Sequence, residues 1–85
     1  MNNEVAAFLA FLKDERQLSD NTLMSYQRDL EQTVTYLEDR GITDWQQVDH
    51  YLLIDLLNGL RQQGKANSTI NRVISSLRQF YKYMI

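Results

Sequence analysis

The sequence contains no cysteine, no proline and only three glycines among its 85 residues. The absence of cysteine excludes disulfides, thiolate metal sites and cysteine nucleophiles, and it suits a reducing compartment. With no proline and few glycines, the chain lacks the frequent turns that a sandwich of short strands needs. These absences favour helices joined by short connections, so we expect an all-α fold.

Long hydrophobic stretches are also missing, and the N-terminus has an acid, Glu4, where a secretory signal needs basic residues. We therefore expect neither secretion nor a membrane span, and we assign the chain to the cytoplasm. A chain of 85 residues has room for one hydrophobic core. We predict one domain over residues 1–85, with a domain or fragment boundary at Ile85, because a helical apolar pattern is still running there.

The charges are segregated along the chain. Residues 1–60 carry all eleven acids and four basic side chains, a net charge of −7, whereas residues 61–85 carry five basic side chains and no acid, a net charge of +5. The total of −2 argues mildly against a nucleic-acid-binding protein. Because the local field decides where a polyanion docks, the acid-free segment is nevertheless a candidate docking surface.

The spacing of apolar residues predicts four helices and one short helical turn. Apolar side chains recur every three or four positions over residues 4–16, 20–39 and 50–63, and again from residue 67 or 68 to the chain end. Residues suited to helix starts stand where caps are needed: Asn3, residues 18–21, Thr43 or Asp44, Asp49, and Asn67 or Ser68. The prediction is a four-helix bundle with one extra turn that carries Trp45 and Val48.

The three glycines lie at or within the predicted helices. Gly41 and Gly64 follow the second and third helices, where a left-handed residue commonly ends a helix. Gly59 lies inside the third helix and costs about 1 kcal/mol relative to alanine. Either a neighbouring backbone comes close at Gly59 or the helix bends there.

Catalytic chemistry finds little support in this sequence. His50 is the one histidine, and it lacks a second ligand at metal-binding spacing, so we expect a surface role at a helix start. We predict no catalytic residue, no metal and no cofactor. Acids on the predicted helices fall mostly opposite the apolar stripes, where solvated charge is the ordinary interpretation: Asp14, Glu15, Asp29, Glu31, Glu38, Asp39 and Asp55. Three aromatic residues are expected in the core: Trp45, Tyr51 and Tyr81.

The last helix combines an apolar arc with a uniform polar arc. The polar arc carries short hydrogen-bonding and basic side chains, with Tyr83 as the one large ring: Ser68, Thr69, Asn71, Arg72, Ser75, Ser76, Arg78, Gln79 and Lys82. Such side chains suit phosphates and base edges, and Lys65 stands just before the free amides of the helix start. DNA binding and a merely soluble surface are both open for this arc. A weaker second patch lies on the second helix at Asn21, Thr22, Ser25 and Arg28.

Two sequence blocks carry a family resemblance. Residues 19–30 follow the pattern S-x-N-T-x-x-x-Y-x-x-D-L after the F-L-A-F-L of residues 8–12, and residues 68–83 follow S-T-I-x-R-x-x-S-x-L-R-x-F-Y-x-Y. In this order and separation, the blocks resemble the N-terminal core-binding domain of tyrosine recombinases of the Xer and phage-integrase type. The resemblance covers nearly the whole chain.

The resemblance implies a SAM-like helical domain that closes over one face of a double-stranded recombination site, while a separate C-terminal domain grips the other face. It implies that DNA contacts come from the second and fourth helices, carried over to Asn21, Thr22, Ser25, Tyr26, Arg28, Lys65, Ser68, Thr69, Asn71, Arg72, Ser75, Ser76 and Arg78. Lys82 joins this set from the polar arc. Tyr26 also has the spacing of a core residue.

The resemblance further implies partners and an activity that lie outside this chain. The first helix would contact a neighbouring recombinase subunit in a tetramer on DNA, whereas the domain by itself is expected to be monomeric. The family cuts DNA with a tyrosine nucleophile in a domain that would start after Ile85, so this chain should bind DNA without cleaving it. The competing interpretation is a helical protein-interaction module whose basic last helix binds an acidic partner.

Overall fold

The computed structural model describes residues 1–84, and this part of the chain forms four α-helices and one 3₁₀ turn. Helix α1 spans Asn2–Glu15, α2 spans Asp20–Asp39, α3 spans His50–Gln62 and α4 spans Asn67–Met84. The 3₁₀ turn at Trp45–Gln47 lies between α2 and α3. The prediction of an all-α four-helix fold with one extra turn is confirmed.

Side-chain caps fix the starts of α2, the 3₁₀ turn and α3. Ser19 accepts a hydrogen bond from the Thr22 amide at 3.3 Å, and Asp49 accepts one from the Leu52 amide at 2.9 Å. Asp44 caps the 3₁₀ turn in the same way, by accepting a hydrogen bond from the Gln46 amide. Each cap satisfies an amide that has no partner inside its own helix, and the three predicted cap positions are confirmed.

Glycine ends both α2 and α3. Gly41 and Gly64 have φ angles of 80° and 82°, in the left-handed region where a side chain is strained. The residue after Gly41 donates its amide to the Leu37 carbonyl at 3.0 Å, and the residue after Gly64 donates to the Leu60 carbonyl at 3.1 Å. These are the bonds of a Schellman motif, so both predicted helix ends are confirmed.

The ends of α1 differ from the prediction. The cap position is Met1, which makes no side-chain bond, so the expectation of a cap at Asn3 is wrong. Gln17 follows the C-cap of α1 with a φ angle of 51°, the left-handed position that glycine occupies after α2 and α3. The sequence provides no glycine at this turn, and a residue with a side chain adopts the strained angle instead.

The core lies between α2 and α4, each of which packs against the other three helices. Every element contributes buried apolar side chains to it: Val5, Phe8, Leu12, Leu30, Val34, Leu37, Trp45, Leu56, Leu60, Ile70, Val73, Leu77 and Phe80. All these residues belong to the stripes or turns that the sequence predicts as apolar.

Trp45 attaches the 3₁₀ turn to the core. Its ring lies 4.7 Å from the Phe80 ring in an edge-to-face arrangement, and Phe80 meets Phe8 of α1 at 5.4 Å. The indole Nε1 donates to the Met1 carbonyl at 3.0 Å, which satisfies its polar atom. The loop between α2 and α3 is therefore held against both α1 and α4.

One aromatic expectation needs correction, and one of the two explanations left open for Gly59 is excluded. Tyr51 is 76% exposed, so its expected place in the core is wrong. Tyr83 lies on the polar arc but packs against Phe8 and Phe11, with ring centroids 5.4 and 5.0 Å apart. A Cβ atom at Gly59 would meet no heavy atom within 4 Å beyond the adjoining backbone of α3 itself, which excludes close approach of a neighbouring backbone as the reason for that glycine.

Candidate nucleic-acid interface

One side of α4 forms an exposed polar stripe. Ser68, Asn71, Ser75, Arg78 and Lys82 are all exposed, and they recur every three or four residues. That spacing places them along one face of the helix, opposite the buried residues. No acid occurs in residues 61–85, so phosphate groups would meet no repelling carboxylate from this helix.

Ser76 does not belong to this stripe. Its relative exposure is 0%, and its hydroxyl lies 3.1 Å from Asp29 Oδ2 and 3.0 Å from the Arg72 carbonyl. The expectation that Ser76 lies on the exposed polar arc is therefore wrong. Helix periodicity places this residue at the edge of the polar arc, and the packing of α2 against that edge buries it.

Arg72 forms a two-point ion pair with Asp29 across the contact between α4 and α2. Nε lies 2.9 Å from Oδ2, and Nη2 lies 3.0 Å from Oδ1. The arginine side chain remains 40% exposed, whereas that of Asp29 is 2% exposed. The hydrogen bonding that Arg72 donates to the Asp29 carboxylate raises the pKa of the guanidinium above its ordinary value, and this arginine is charged at every relevant pH.

The burial of Asp29 contradicts the expectation that it is a solvated surface acid. Its carboxylate receives two donors from Arg72 and faces the Ser76 hydroxyl, and the Thr33 hydroxyl donates to its backbone carbonyl at 2.9 Å. A buried carboxylate is tolerated when a cation and hydrogen bonds replace its water. Asp29 therefore belongs to the contact between α2 and α4.

The patch on α2 is partly used by the helix itself. Asn21 and Arg28 are exposed, whereas Thr22, Ser25 and Tyr26 are half-buried. The Ser25 hydroxyl donates to the Asn21 carbonyl at 3.1 Å, and the Thr22 hydroxyl lies 2.9 Å from that of Ser19. Tyr26 packs against the core, as its spacing indicates. Asn21 and Arg28 are the members of this patch with the greatest freedom to meet a ligand.

The ion pair joins the two patches. Asp29 follows Arg28 directly and lies one turn from Ser25 on α2, while Arg72 lies one turn from Ser68 and from Ser75 on α4. Because Asp29 and Arg72 are in contact, the exposed residues beside them lie on adjoining parts of one surface. The structure thus brings the α2 patch next to the first half of the α4 stripe.

The second half of the stripe lies between two grooves. Arg78 lines a groove of about 420 Å³ between α3 and α4 together with Tyr81. Lys82 lines a groove of about 370 Å³ on the α1 side, which includes Phe11 and Arg16. These two basic residues therefore extend the stripe away from α2.

The start of α4 presents amides without a side-chain cap. Asn67 is the first helical residue and Ala66 precedes it, so the expectation that Asn67 or Ser68 caps this helix is wrong. The first bond of the helix runs from the Ile70 amide to the Ala66 carbonyl at 3.1 Å. The amides of residues 67–69 precede that bond, and an anion is a favourable partner for such groups. Lys65 is exposed just before them.

The described residues offer few other chemistries. Within residues 1–84, no group of three or more His, Cys, Asp or Glu side chains is arranged to hold a metal ion. No helix in the same range has the length and apolar content needed to cross a membrane. His50 is exposed at the start of α3, and its ring meets Tyr51 with 5.8 Å between centroids.

Asp29 is the residue of this surface that sequence reasoning missed. Two signals pointed to it: Asp29 directly precedes the buried Leu30, and the fourth helix carries Arg72 and Ser76 four residues apart on one side. Neither signal shows which helices pack together, so neither identifies the pair without the structure.

Comparison with known proteins places this chain in a family. The family model described as "Phage integrase, N-terminal SAM-like domain" matches residues 5–85. No solved structure matches the chain significantly.

Curated relatives carry recombinase names. The chain is 43% identical over 79 residues to tyrosine recombinase XerD of Oceanobacillus iheyensis, a match that covers 92% of this chain and 27% of the relative. It is 38% identical over 84 residues to tyrosine recombinase XerC of Roseiflexus castenholzii, covering 99% of this chain and 27% of the relative. The XerC of Pseudomonas putida strain F1 is 34% identical over 84 residues, covering 99% and 28%. The chain thus spans under a third of the length of these relatives.

Proposed function

We propose that this chain, which belongs to the phage integrase N-terminal SAM-like domain family, binds duplex DNA as part of a site-specific tyrosine recombinase. The observation that carries the proposal is the exposed, acid-free stripe along α4. Surface helices normally mix charges of both signs, whereas the charged side chains of this helix are all basic.

The chemistry of the surface matches a duplex. Arg78 and Lys82 supply positive charge for phosphates, and the amides at the start of α4 supply hydrogen-bond donors. Ser68 and Ser75 are short, so the helix backbone can approach a groove wall closely, and Asn71 can donate to or accept from a base edge. The α2 patch would meet the same duplex beside the stripe, so that the domain closes over one face of the DNA.

The proposed contacts are the predicted residues that retain access to solvent. Ser76 is left out because it is buried. Eight members are exposed and five are half-buried: Asn21, Arg28, Lys65, Ser68, Asn71, Ser75, Arg78 and Lys82 in the first group, and Thr22, Ser25, Tyr26, Thr69 and Arg72 in the second.

The proposal extends to the whole recombinase. We infer that strand cleavage and rejoining belong to a further domain of the recombinase, since the chain spans 27–28% of its relatives' length. The chain by itself would be a monomer that binds without cutting. In a recombinase tetramer on DNA, α1 would contact a neighbouring subunit, and the assembly would act in the cytoplasm.

A titration with duplex DNA, followed by amide chemical shifts, tests this proposal. The duplex has mixed sequence and about 20 base pairs, longer than the 34 Å domain at 3.4 Å per base pair. We expect shifts to cluster on residues 21–28 and 65–82 at about 50 mM salt, and to weaken strongly at about 200 mM salt. Arg78→Ala combined with Lys82→Ala should weaken binding and lower its salt dependence.

A matched charge control separates a specific surface from general attraction. Lys13 on α1 and Arg40 at the C-terminal end of α2 are exposed basic residues outside the proposed contacts, so Lys13→Ala with Arg40→Ala removes the same charge elsewhere on the domain. This control should bind DNA almost as the wild type does. A spectrum unchanged by DNA would contradict the proposal and would favour the other function, a protein-interaction module that binds an acidic partner through α4.

A further inference from the structure

A buried acid lies beneath the proposed DNA-binding surface. Asp29 sits where α2 and α4 meet, next to Arg28 and in contact with Arg72, and its side chain is 2% exposed. A negative charge in that place repels phosphate through the low-dielectric protein, so a DNA-binding surface would bind better without it unless the acid performs a separate task.

The hydrogen bonds of Asp29 indicate that task. Both carboxylate oxygens accept from Arg72, at 2.9 and 3.0 Å, and Ser76 lies 3.1 Å from Oδ2. The two-point contact fixes the plane of the guanidinium as well as its position, which a single point contact cannot do. Thr33 fixes the backbone of Asp29 from the next turn of α2.

Arg72 keeps donors for a second partner. A guanidinium carries five N–H donors, and the Asp29 contact uses one on Nε and one on Nη2. Nη1 takes no part in that contact, and 40% of the side chain is exposed. Arg72 also lies one turn from Ser68 and Ser75, so its unused donors belong to the same surface as the α4 stripe.

We propose that Asp29 is a positioning residue for DNA binding: it holds the Arg72 guanidinium in one orientation so that the unused donors meet a phosphate between the α2 patch and the α4 stripe. This inference rests on the proposed function of the domain. Arg72 is the DNA-contacting residue, and Asp29 acts through it while also keeping α2 and α4 in register.

The inference is tested by whether removing the negative charge of Asp29 tightens or weakens DNA binding. Asp29→Asn removes one negative charge near the surface, and electrostatics alone predicts tighter DNA binding. If Asp29 positions Arg72, the same substitution weakens binding by about five- to tenfold, the loss of one oriented arginine contact. Glu31→Gln is the matched control, because Glu31 is an exposed acid on the same helix. Its carboxylate accepts a hydrogen bond from the Gln27 side chain at 3.1 Å and does not contact Arg72.

Binding is measured by fluorescence anisotropy with a labelled duplex of about 20 base pairs, at about 50 mM and about 200 mM salt. Glu31→Gln should leave the dissociation constant within about twofold of the wild type or lower it. Arg72→Lys keeps the charge but loses the planar fork, so it should weaken binding as Asp29→Asn does. Circular dichroism establishes that each variant is folded. Ser76→Ala, which removes one neighbour of Oδ2, is the milder second variant and should weaken binding in the same direction.

A direct readout separates positioning from a merely structural ion pair. The Arg72 Nε–H resonance should shift when DNA is added to the wild type, and this response should be lost in Asp29→Asn. An unresponsive resonance, or a dissociation constant for Asp29→Asn equal to or lower than that of the wild type, would overturn the inference while the domain still bound DNA. A wild-type domain that does not bind the duplex at all would instead overturn the proposed function, and this inference with it.

Discussion

Arg72 and Asp29 meet along one edge of the guanidinium, with Nε 2.9 Å from Oδ2 and Nη2 3.0 Å from Oδ1. The two partners are buried to different degrees, because the arginine side chain is 40% exposed and that of the aspartate is 2% exposed. Loss of the arginine strands a charge in the interior, whereas loss of the aspartate leaves a charge that can turn toward water. Loss of Arg72 should therefore lower the stability of the fold more than loss of Asp29.

This asymmetry predicts unequal costs for the two single substitutions. Arg72→Met keeps the apolar stem but leaves the Asp29 carboxylate without its cation, and it should lower the free energy of unfolding by about 3 kcal/mol. Asp29→Asn should cost about 1 kcal/mol. Urea unfolding near neutral pH measures both values. The double variant should cost less than the sum by about 1–2 kcal/mol, and strict additivity would mean that the pair does not form in solution.

Glycine positions provide a second, internally controlled prediction. Gly59 lies in the interior of α3, and an added Cβ would meet no heavy atom within 4 Å beyond the adjoining backbone of that helix, so Gly59→Ala should raise the free energy of unfolding by about 1 kcal/mol. Gly64→Ala introduces the same methyl group at a φ angle of 82° and should lower it by about 1 kcal/mol. Thermal or urea unfolding measures both, and stabilisation by both variants would contradict the assigned backbone angles.

The turn after α1 allows the opposite substitution. Gln17 has a φ angle of 51°, so Gln17→Gly should relieve the left-handed strain and raise the free energy of unfolding by up to about 1 kcal/mol. Gln62→Gly is the control, because Gln62 is an exposed residue in the last turn of α3 and a glycine there should lower the free energy of unfolding. A destabilised Gln17→Gly variant would show that the side chain stabilises the turn in some other way.

The sequence predicts the helices and their limits well because the signals are local. Ser19 at a helix start and Gly41 at a helix end act within one turn, so their residue types alone suffice. The exposed stripe of α4 follows from periodicity in the same way. The turn at Gln17 could not be predicted, because glutamine does not favour the left-handed angle that it adopts there.

The parts of the candidate site that depend on packing were beyond the sequence. Asp29 and Ser76 lie at the edges of their apolar stripes, where periodicity alone cannot tell burial from exposure. The contact between α2 and α4 decides whether these two residues are buried. Asp29, predicted as a surface acid, and Ser76, predicted as a DNA contact, both lie against Arg72 in that contact. Tyr51 shows the reverse error, since an aromatic residue expected in the core is 76% exposed.

Tyr81 provides a prediction that depends on pH. Its hydroxyl is buried and has no hydrogen-bond partner within residues 1–84, and burial raises the pKa of Tyr81 above its ordinary value of about 10. Tyr81→Phe removes an unsatisfied polar atom, so at pH 7 it should leave the free energy of unfolding unchanged or raise it by up to about 1 kcal/mol. Tyr51→Phe, at a side chain that is 76% exposed, is the control and should leave the free energy of unfolding at pH 7 unchanged.

Alkaline pH should enlarge the difference between Tyr81→Phe and the wild type. The neutral phenol is favoured in the folded state, so its contribution to stability is complete below the unfolded pKa of about 10 and is lost as pH rises through the higher folded value. In this window the unfolded chain gives up the Tyr81 proton before the folded chain does, and the wild type therefore loses more stability than Tyr81→Phe. Urea unfolding at pH 7 and at about pH 10.5 measures the change, since the two values bracket the ordinary tyrosine pKa. Equal losses in the wild type and in Tyr81→Phe would show that the Tyr81 hydroxyl reaches water in solution.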